Sequence, residues 1–200
     1  TLVKLAASSK KPVINALSHI YHPCQALADL LSLKEMYGDL SQVHLAFIGD
    51  GNNVCHSLLI GCAILGMQFT VVTPPGYGPD AHVVLKAQQL ASESGAKLTF
   101  SHHVSSAAGA NAVYTDTWLS MGVKADPAQI ERDFAPYQIN TAVMQRLGVS
   151  HFMHCLPAHR GQEVTSEVLD SEYSLVLRQA ENRMHAQNAV LVSLFSEVLS

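Results

Sequence analysis

Five short stretches hold the residue types that could act on a small ligand. In VSHFMHCLPAHRG, residues 149–161, His154 and Cys155 close an apolar run and Leu156-Pro157 turns the chain away. A cysteine there is either an inert core thiol or, at a strand end, a group that meets substrate. His154 is a poor base for it, because neighbours along a strand point to opposite faces. IGDGNN, residues 48–53, carries glycines at 49 and 51 that permit a tight strand-to-helix turn. Asn52 or Asn53 then either caps the helix or, for Asn53, presents an amide to a crevice; the GxGxxG spacing of a dinucleotide site is absent. In TDTWLSMG, residues 115–122, Asp116 sits at a strand tip and Ser120 in the loop beyond. Both suit a polar ligand, and the carboxylate suits an amine; Trp118 reads as a packing residue. HPCQ, residues 22–25, sets His22 and Gln25 at a helix N-terminus, where N–H groups and the dipole favour an anion or a carbonyl oxygen. Arg183 has the planar fork that clamps phosphate, although caps and surface ion pairs are the commoner fate of such residues.

These positions need a scaffold that gathers them at one end. From residue 43 onward, short β-branched or aromatic runs alternate with helical patterns, the mark of βα units and a parallel sheet. The candidate strands are 43–50, 68–74, 96–101, 111–116 and 150–155, with a strand-like piece at 13–16. Helices are expected over 23–37, 53–65, 80–94, 128–135, 141–147 and 187–199, bounded by Gly, Pro and Asp. In the second of these, Val54, Leu58 and Cys62 recur at i, i+4 and i+8 and form a core face. The fold class is therefore α/β, a doubly wound, mainly parallel five-stranded sheet with helices on both faces, Rossmann-like. Ligands of such sheets collect at the carboxyl ends of the strands, where Asn53, Asp116 and Cys155 all fall.

Composition narrows the functions. With 200 residues and 48% hydrophobic content, the chain can bury a sizeable core. A net charge of -4, with 12 Lys and Arg dispersed along the chain, provides no basic stripe for nucleic acid. The longest apolar run, 58–67, is about half of the ~20 residues that cross a bilayer, so no membrane span is expected. No export signal is evident, and a cytoplasmic setting is the default. Four cysteines without CxxC spacing read as reduced thiols, and the 11 histidines do not reproduce a closed zinc site, so no metal is expected.

Taken in order, HPCQALADLL, IGDGNN, DTWLSMG, HCLPAHRG and AENR resemble the ornithine carbamoyltransferase family, from about residue 13 to 194. HCLP and HPxQ are shared by transcarbamoylases in general, and Asp116 to Gly122 resembles the ornithine-specific element. The resemblance implies transfer of the carbamoyl group of carbamoyl phosphate to the δ-amine of L-ornithine, giving L-citrulline and phosphate without metal or organic cofactor. It implies that His22, Gln25, Cys155, Leu156 and Arg183 meet carbamoyl phosphate. Asn53, Asp116, Ser120 and Met121 would meet ornithine, with Cys155 and Leu156 touching both substrates. Asp116, Cys155 and Arg183 are the expected catalytic residues: Asp116 and Cys155 near the amine, and His22, Arg183 and the Leu156 N–H toward the oxygen that gathers charge.

The chain departs from the family in lacking a Ser-Thr-Arg-Thr phosphate loop. It is expected to comprise the end of the carbamoyl-phosphate domain with an interdomain helix (1–38), the ornithine-binding domain (39–186) and a helix packing back on the first domain (187–200). The helices at 23–37 and 187–199 should then each keep an unfilled apolar side, and the 200 residues alone should be nearly inactive. The resemblance also implies a homotrimer or multiple of trimers. Two other readings stay open: a non-catalytic module that binds ornithine or a related amino acid, and a carbamoyltransferase for another amine such as putrescine or acetylornithine.

Overall fold

The computed structural model describes residues 2–118 and 126–199. Its elements in chain order are α1 (Leu2–Ser8), α2 (Pro23–Tyr37), β1 (His44–Ile48), α3 (Asn53–Ile64), β2 (Gln68–Val72), α4 (Ala81–Ser94), β3 (Lys97–Ser101), β4 (Ala112–Thr115), α5 (Pro127–Phe134), α6 (Thr141–Leu147), β5 (His151–His154), α7 (Ser166–Leu169) and α8 (Val176–Leu199). The five strands form one sheet in the order β3-β2-β1-β4-β5. Every pairing is parallel, with Ala46 opposite Thr70 on one side and Val113 on the other.

Strand alternation divides the core into two layers. Leu45, Phe47, Tyr114 and Met153 face α2, α3 and α4, where they meet Leu33, Leu58, Leu59 and Cys62. Ala46, Ile48, Val113 and Phe152 face the opposite way, against Ile139, Val143, Leu147 and Val168. Because β1 and β4 are covered on both faces, they read as unbroken apolar runs. The Phe47 and Tyr114 rings stack across β1 and β4 with centroids 5.7 Å apart.

Helix boundaries follow local chemistry. Asn52, Asp80, Asp126 and Asn140 cap α3, α4, α5 and α6 by accepting first-turn N–H groups. Gly95 and Gly148 end α4 and α6 in the left-handed conformation. Two expectations are corrected. The piece at 13–16 is not a strand; the segment instead closes a local turn in which Ser18 N–H donates to Tyr21 O at 2.8 Å and Asn15 Nδ2 donates to Ser18 Oγ at 3.1 Å. The helix expected over 187–199 begins at Val176, since no proline or glycine interrupts the 24 residues of α8.

The sheet order places a switch point between β1 and β4. From β1 the chain runs through α3 to β2 on one side, and from β4 it runs through α5 and α6 to β5 on the other. Adjacent strands whose connections diverge leave a crevice at their carboxyl ends. Residues 49–53 and 116–118 line it.

Candidate active site

Asp116, the first residue beyond β4, is buried and gathers three donors. Its Oδ1 accepts the Cys155 thiol at 3.0 Å and the Thr117 N–H at 2.8 Å, and its Oδ2 accepts Asn52 Nδ2 at 2.7 Å. Asn52 is held because its own Oδ1 caps α3, taking the N–H groups of Val54 and Cys55. The asparagine doublet thus divides its labour. Asn52 aims the carboxylate, while Asn53 Nδ2 reaches back to Ser18 O at 2.8 Å and ties α3 to the segment before α2.

Burial, the negative charge of Asp116 and the hydrogen bond to it push the Cys155 thiol well above its ordinary value. The sulfur therefore keeps its proton and serves as a donor to Asp116, not as a thiolate nucleophile. His154 is bonded elsewhere. Its Nδ1 accepts the Leu156 N–H at 2.8 Å, so Nε2 carries the ring proton and donates to buried Glu163 Oε1 at 3.2 Å. Burial raises the Glu163 carboxyl, but the donors His154 and the His159 N–H outweigh it and leave it below its usual range. The Leu156 N–H, expected to face the reacting oxygen, is thus engaged with His154. Leu156 adopts φ 57 ahead of a cis Leu156–Pro157 bond.

One atom each of Asp116, His154 and Cys155 lies within 4.8 Å of the other two, a spacing that a metal ion could use. Here those atoms already have partners: the sulfur donates to Asp116, and the ring nitrogens of His154 meet Glu163 and the Leu156 N–H. The geometry is that of a hydrogen-bonded cluster.

A second cluster comes from α2 and α8. Arg183 Nη1 donates to Gln25 Oε1 at 2.6 Å. His22 precedes Pro23 at the start of α2, and its N–H donates to Ser57 Oγ at 2.7 Å. Burial and the positive charge of Arg183 lower the His22 pKa, so its ring is neutral at pH 7. The negative charge of Asp116 acts there in the opposite sense.

Sequence reasoning thus named Asn53, Asp116, Cys155, Leu156, His22, Gln25 and Arg183, and the fold brings them to one end of the sheet and its flanking helices. Ser120 and Met121 lie outside the described residues. It missed Asn52 as the partner of Asp116, and it missed Asp29, Gln179 and Tyr114 beneath Gln25. Asp29 carried a signal: an acid within the apolar helix run ALADLLSL, one turn beyond Gln25.

His56 is the clamp behind this assembly. Its Nδ1 lies 2.9 Å from Ile20 O, and its Nε2 accepts the Asp80 N–H at 2.9 Å, a pattern that only the neutral ring satisfies. Burial holds its pKa below 6.5. A histidine depressed in the fold adds stability above its unfolded pKa and loses it as pH falls through the folded value. The urea midpoint should therefore drop as pH falls below about 6.5, and His56→Gln should flatten that slope; an unchanged slope removes His56 as a contributor.

Fold and site define a parallel α/β ligand-binding domain with a carboxylate–thiol–amide cluster at the switch point. Residues 41–194 match the aspartate/ornithine carbamoyltransferase, Asp/Orn binding domain, and residues 1–35 match the carbamoyl-P binding domain of the same family. The chain belongs to the aspartate/ornithine carbamoyltransferase family. It is 56% identical over 196 residues to an ornithine carbamoyltransferase of Shewanella oneidensis, covering 98% of this chain and 65% of that protein. The solved ornithine carbamoyltransferase of Pyrococcus furiosus superposes with a TM-score of 0.91 at 45% identity, over 96% of this chain and 62% of that one. An anabolic ornithine carbamoyltransferase from Campylobacter jejuni gives 0.91 at 35% identity, over 98% and 66%. This chain therefore spans about two-thirds of the length of the relatives it matches.

Proposed function

We propose that this chain is the ornithine-binding part of an ornithine carbamoyltransferase, which joins the carbamoyl group of carbamoyl phosphate to the δ-amine of L-ornithine. The observation that carries the reading is the Asn52–Asp116–Cys155 cluster at the switch point, set beside the Gln25–Arg183 pair.

An aliphatic amine enters water-equilibrated sites protonated and attacks only after losing that proton. Asp116, fixed by donors on both oxygens, offers the charge that draws the amine in, and the protonated Cys155 holds one oxygen in place. Asn53, Ser120 and Met121 complete the ornithine side. As the amine nitrogen bonds to the carbamoyl carbon, negative charge gathers on the carbamoyl oxygen. Arg183 and His22 are the donors placed to meet it, with Gln25, Cys155 and Leu156 around the same group. The tetrahedral species collapses by expelling phosphate, and citrulline remains.

In this reading the chain divides at about residues 38 and 186, and the last helix packs against the carbamoyl-phosphate domain. Exposed Leu191, Val192 and Phe195 on the outer half of α8 support that arrangement. A homotrimer or multiple of trimers, a cytoplasmic setting, a place in arginine metabolism, and chemistry without metal or cofactor belong to the same proposal. The open reading frame expressed at full length should form citrulline from both substrates, whereas residues 1–200 alone should form almost none. No citrulline from the full-length protein, or a near-equal rate from residues 1–200, would remove the proposal.

A further inference from the structure

Asp29 is wholly buried on α2, one turn after Gln25. Its Oδ1 accepts Gln25 Nε2 at 2.8 Å and Gln179 Nε2 at 2.7 Å, and its Oδ2 accepts the Tyr114 hydroxyl at 3.0 Å. The far end of each amide is also engaged: Gln25 Oε1 takes Arg183 Nη1 at 2.6 Å, and Gln179 Oε1 takes the His154 N–H at 3.1 Å. One side chain thus joins α2, β4, β5 and α8 beneath the crevice.

The chemistry of the partners fixes more than position. A carboxylate only accepts and a guanidinium only donates, so the Gln25 amide between them has a single sense, NH2 inward and oxygen outward. Without the acceptor beneath it, only Arg183 would hold that sense, and once the guanidinium turns to a ligand the amide could rotate by 180°, because its two ends are alike in shape. The sense decides what the crevice recognises. An outward oxygen pairs with an N–H donor on the ligand, whereas an outward NH2 would pair with an acceptor.

We propose that Asp29 is a positioning residue that locks the Gln25 amide with its oxygen toward the crevice, so that the site selects a transferred group bearing N–H donors, a carbamoyl over an acetyl group. The two groups differ by an NH2 against a methyl of almost equal size, so pocket shape cannot separate them. Hydrogen-bond sense can, because a methyl offers the Gln25 oxygen no donor to add to, or replace, Arg183. The arrangement runs against solvation: burial raises the Asp29 carboxyl to about 6 despite the hydrogen bonds from Gln179, Gln25 and Tyr114. The fold retains an ionised carboxylate at neutral pH in a place where an apolar side chain would be easier to bury.

This inference rests on the carbamoyl-transfer reading and is tested in the full-length protein. Asp29→Asn keeps Oδ1 as an acceptor for both glutamines and turns its NH2 to the Tyr114 hydroxyl, which can accept it. Asp29→Val removes the acceptor; if it does not fold, Asp29→Cys, a weak acceptor of similar size, takes its place. Citrulline assays give KM for carbamoyl phosphate and the inhibition constant of acetyl phosphate, with circular dichroism to confirm folding. The ratio of the two constants should stay within about threefold of wild type in Asp29→Asn and narrow by about tenfold or more in Asp29→Val. A folded Asp29→Val that weakens both ligands in parallel, with the ratio unchanged, overturns the positioning role. Wild-type protein that forms no citrulline defeats the transferase reading instead, so the two failures are separable.

Discussion

Asparagine at position 116 should lower kcat/KM for carbamoyl transfer to ornithine by about 10³-fold while leaving the fold intact. Asp116 accepts Cys155 and Thr117 on one oxygen and Asn52 on the other. An amide has one acceptor end, so its NH2 must face either the Asn52 amide or the thiol and the Thr117 N–H, donor against donor. The substitution also removes the negative charge that draws in a protonated amine. Both KM for ornithine and kcat should suffer, because the same group binds the amine and handles its proton. Steady-state citrulline formation, with circular dichroism to confirm folding, decides the matter. Activity within tenfold of wild type would mean that another group manages the amine.

Alanine at position 51 should destabilise the protein by about 3 kcal/mol or more. A Cβ on Gly51 would sit 2.3 Å from Pro79 N, 2.5 Å from Gly78 C and 2.8 Å from Tyr77 O. These are backbone atoms and cannot rotate aside, and the Gly51 N–H already donates to Tyr77 O at 2.8 Å. The turn or the facing loop must shift, and the turn carries Asn52. Loss of stability should therefore come with loss of activity in whatever fraction stays folded. Gly61→Ala is the control: its Cβ meets only Leu30 Cδ1 within 3 Å, at 2.7 Å, a methyl that can turn away. It should cost less than about 1.5 kcal/mol. Chemical denaturation of the pair distinguishes them, and equal midpoints would show that the turn tolerates a side chain.

Gly51 also shows how far the sequence could be read. The glycine pair of IGDGNN has the look of a phosphate turn, but Gly51 is needed because the 74–79 loop crosses directly over it. All five strands were legible, since apolar runs of four or five residues bounded by Gly, Pro or Asp leave little else to choose. α1 and the four-residue α7 were not, having too few residues for a period. Which asparagine of the doublet meets Asp116 depends on where α3 begins relative to β4, a tertiary fact. Asp29, Gln179 and Tyr114 are distant in sequence and joined only by packing. Local pattern shows that a polar residue is buried; it does not show which partner justifies the burial.

The continuity of α8 has a mechanical consequence. Gln179, Arg183 and Phe195 lie on one uninterrupted helix, so about 18 Å of helix axis separates Arg183 from the outermost of the exposed apolar residues at 1.5 Å per residue. A rod of that kind transmits displacement with little loss over a few turns. The exposed Leu191, Val192 and Phe195 are therefore held in fixed register with Arg183 and with the hydrogen-bonded Gln179. Inserting one glycine between residues 184 and 190 would turn those outer residues by about 100° relative to Arg183 and break that register.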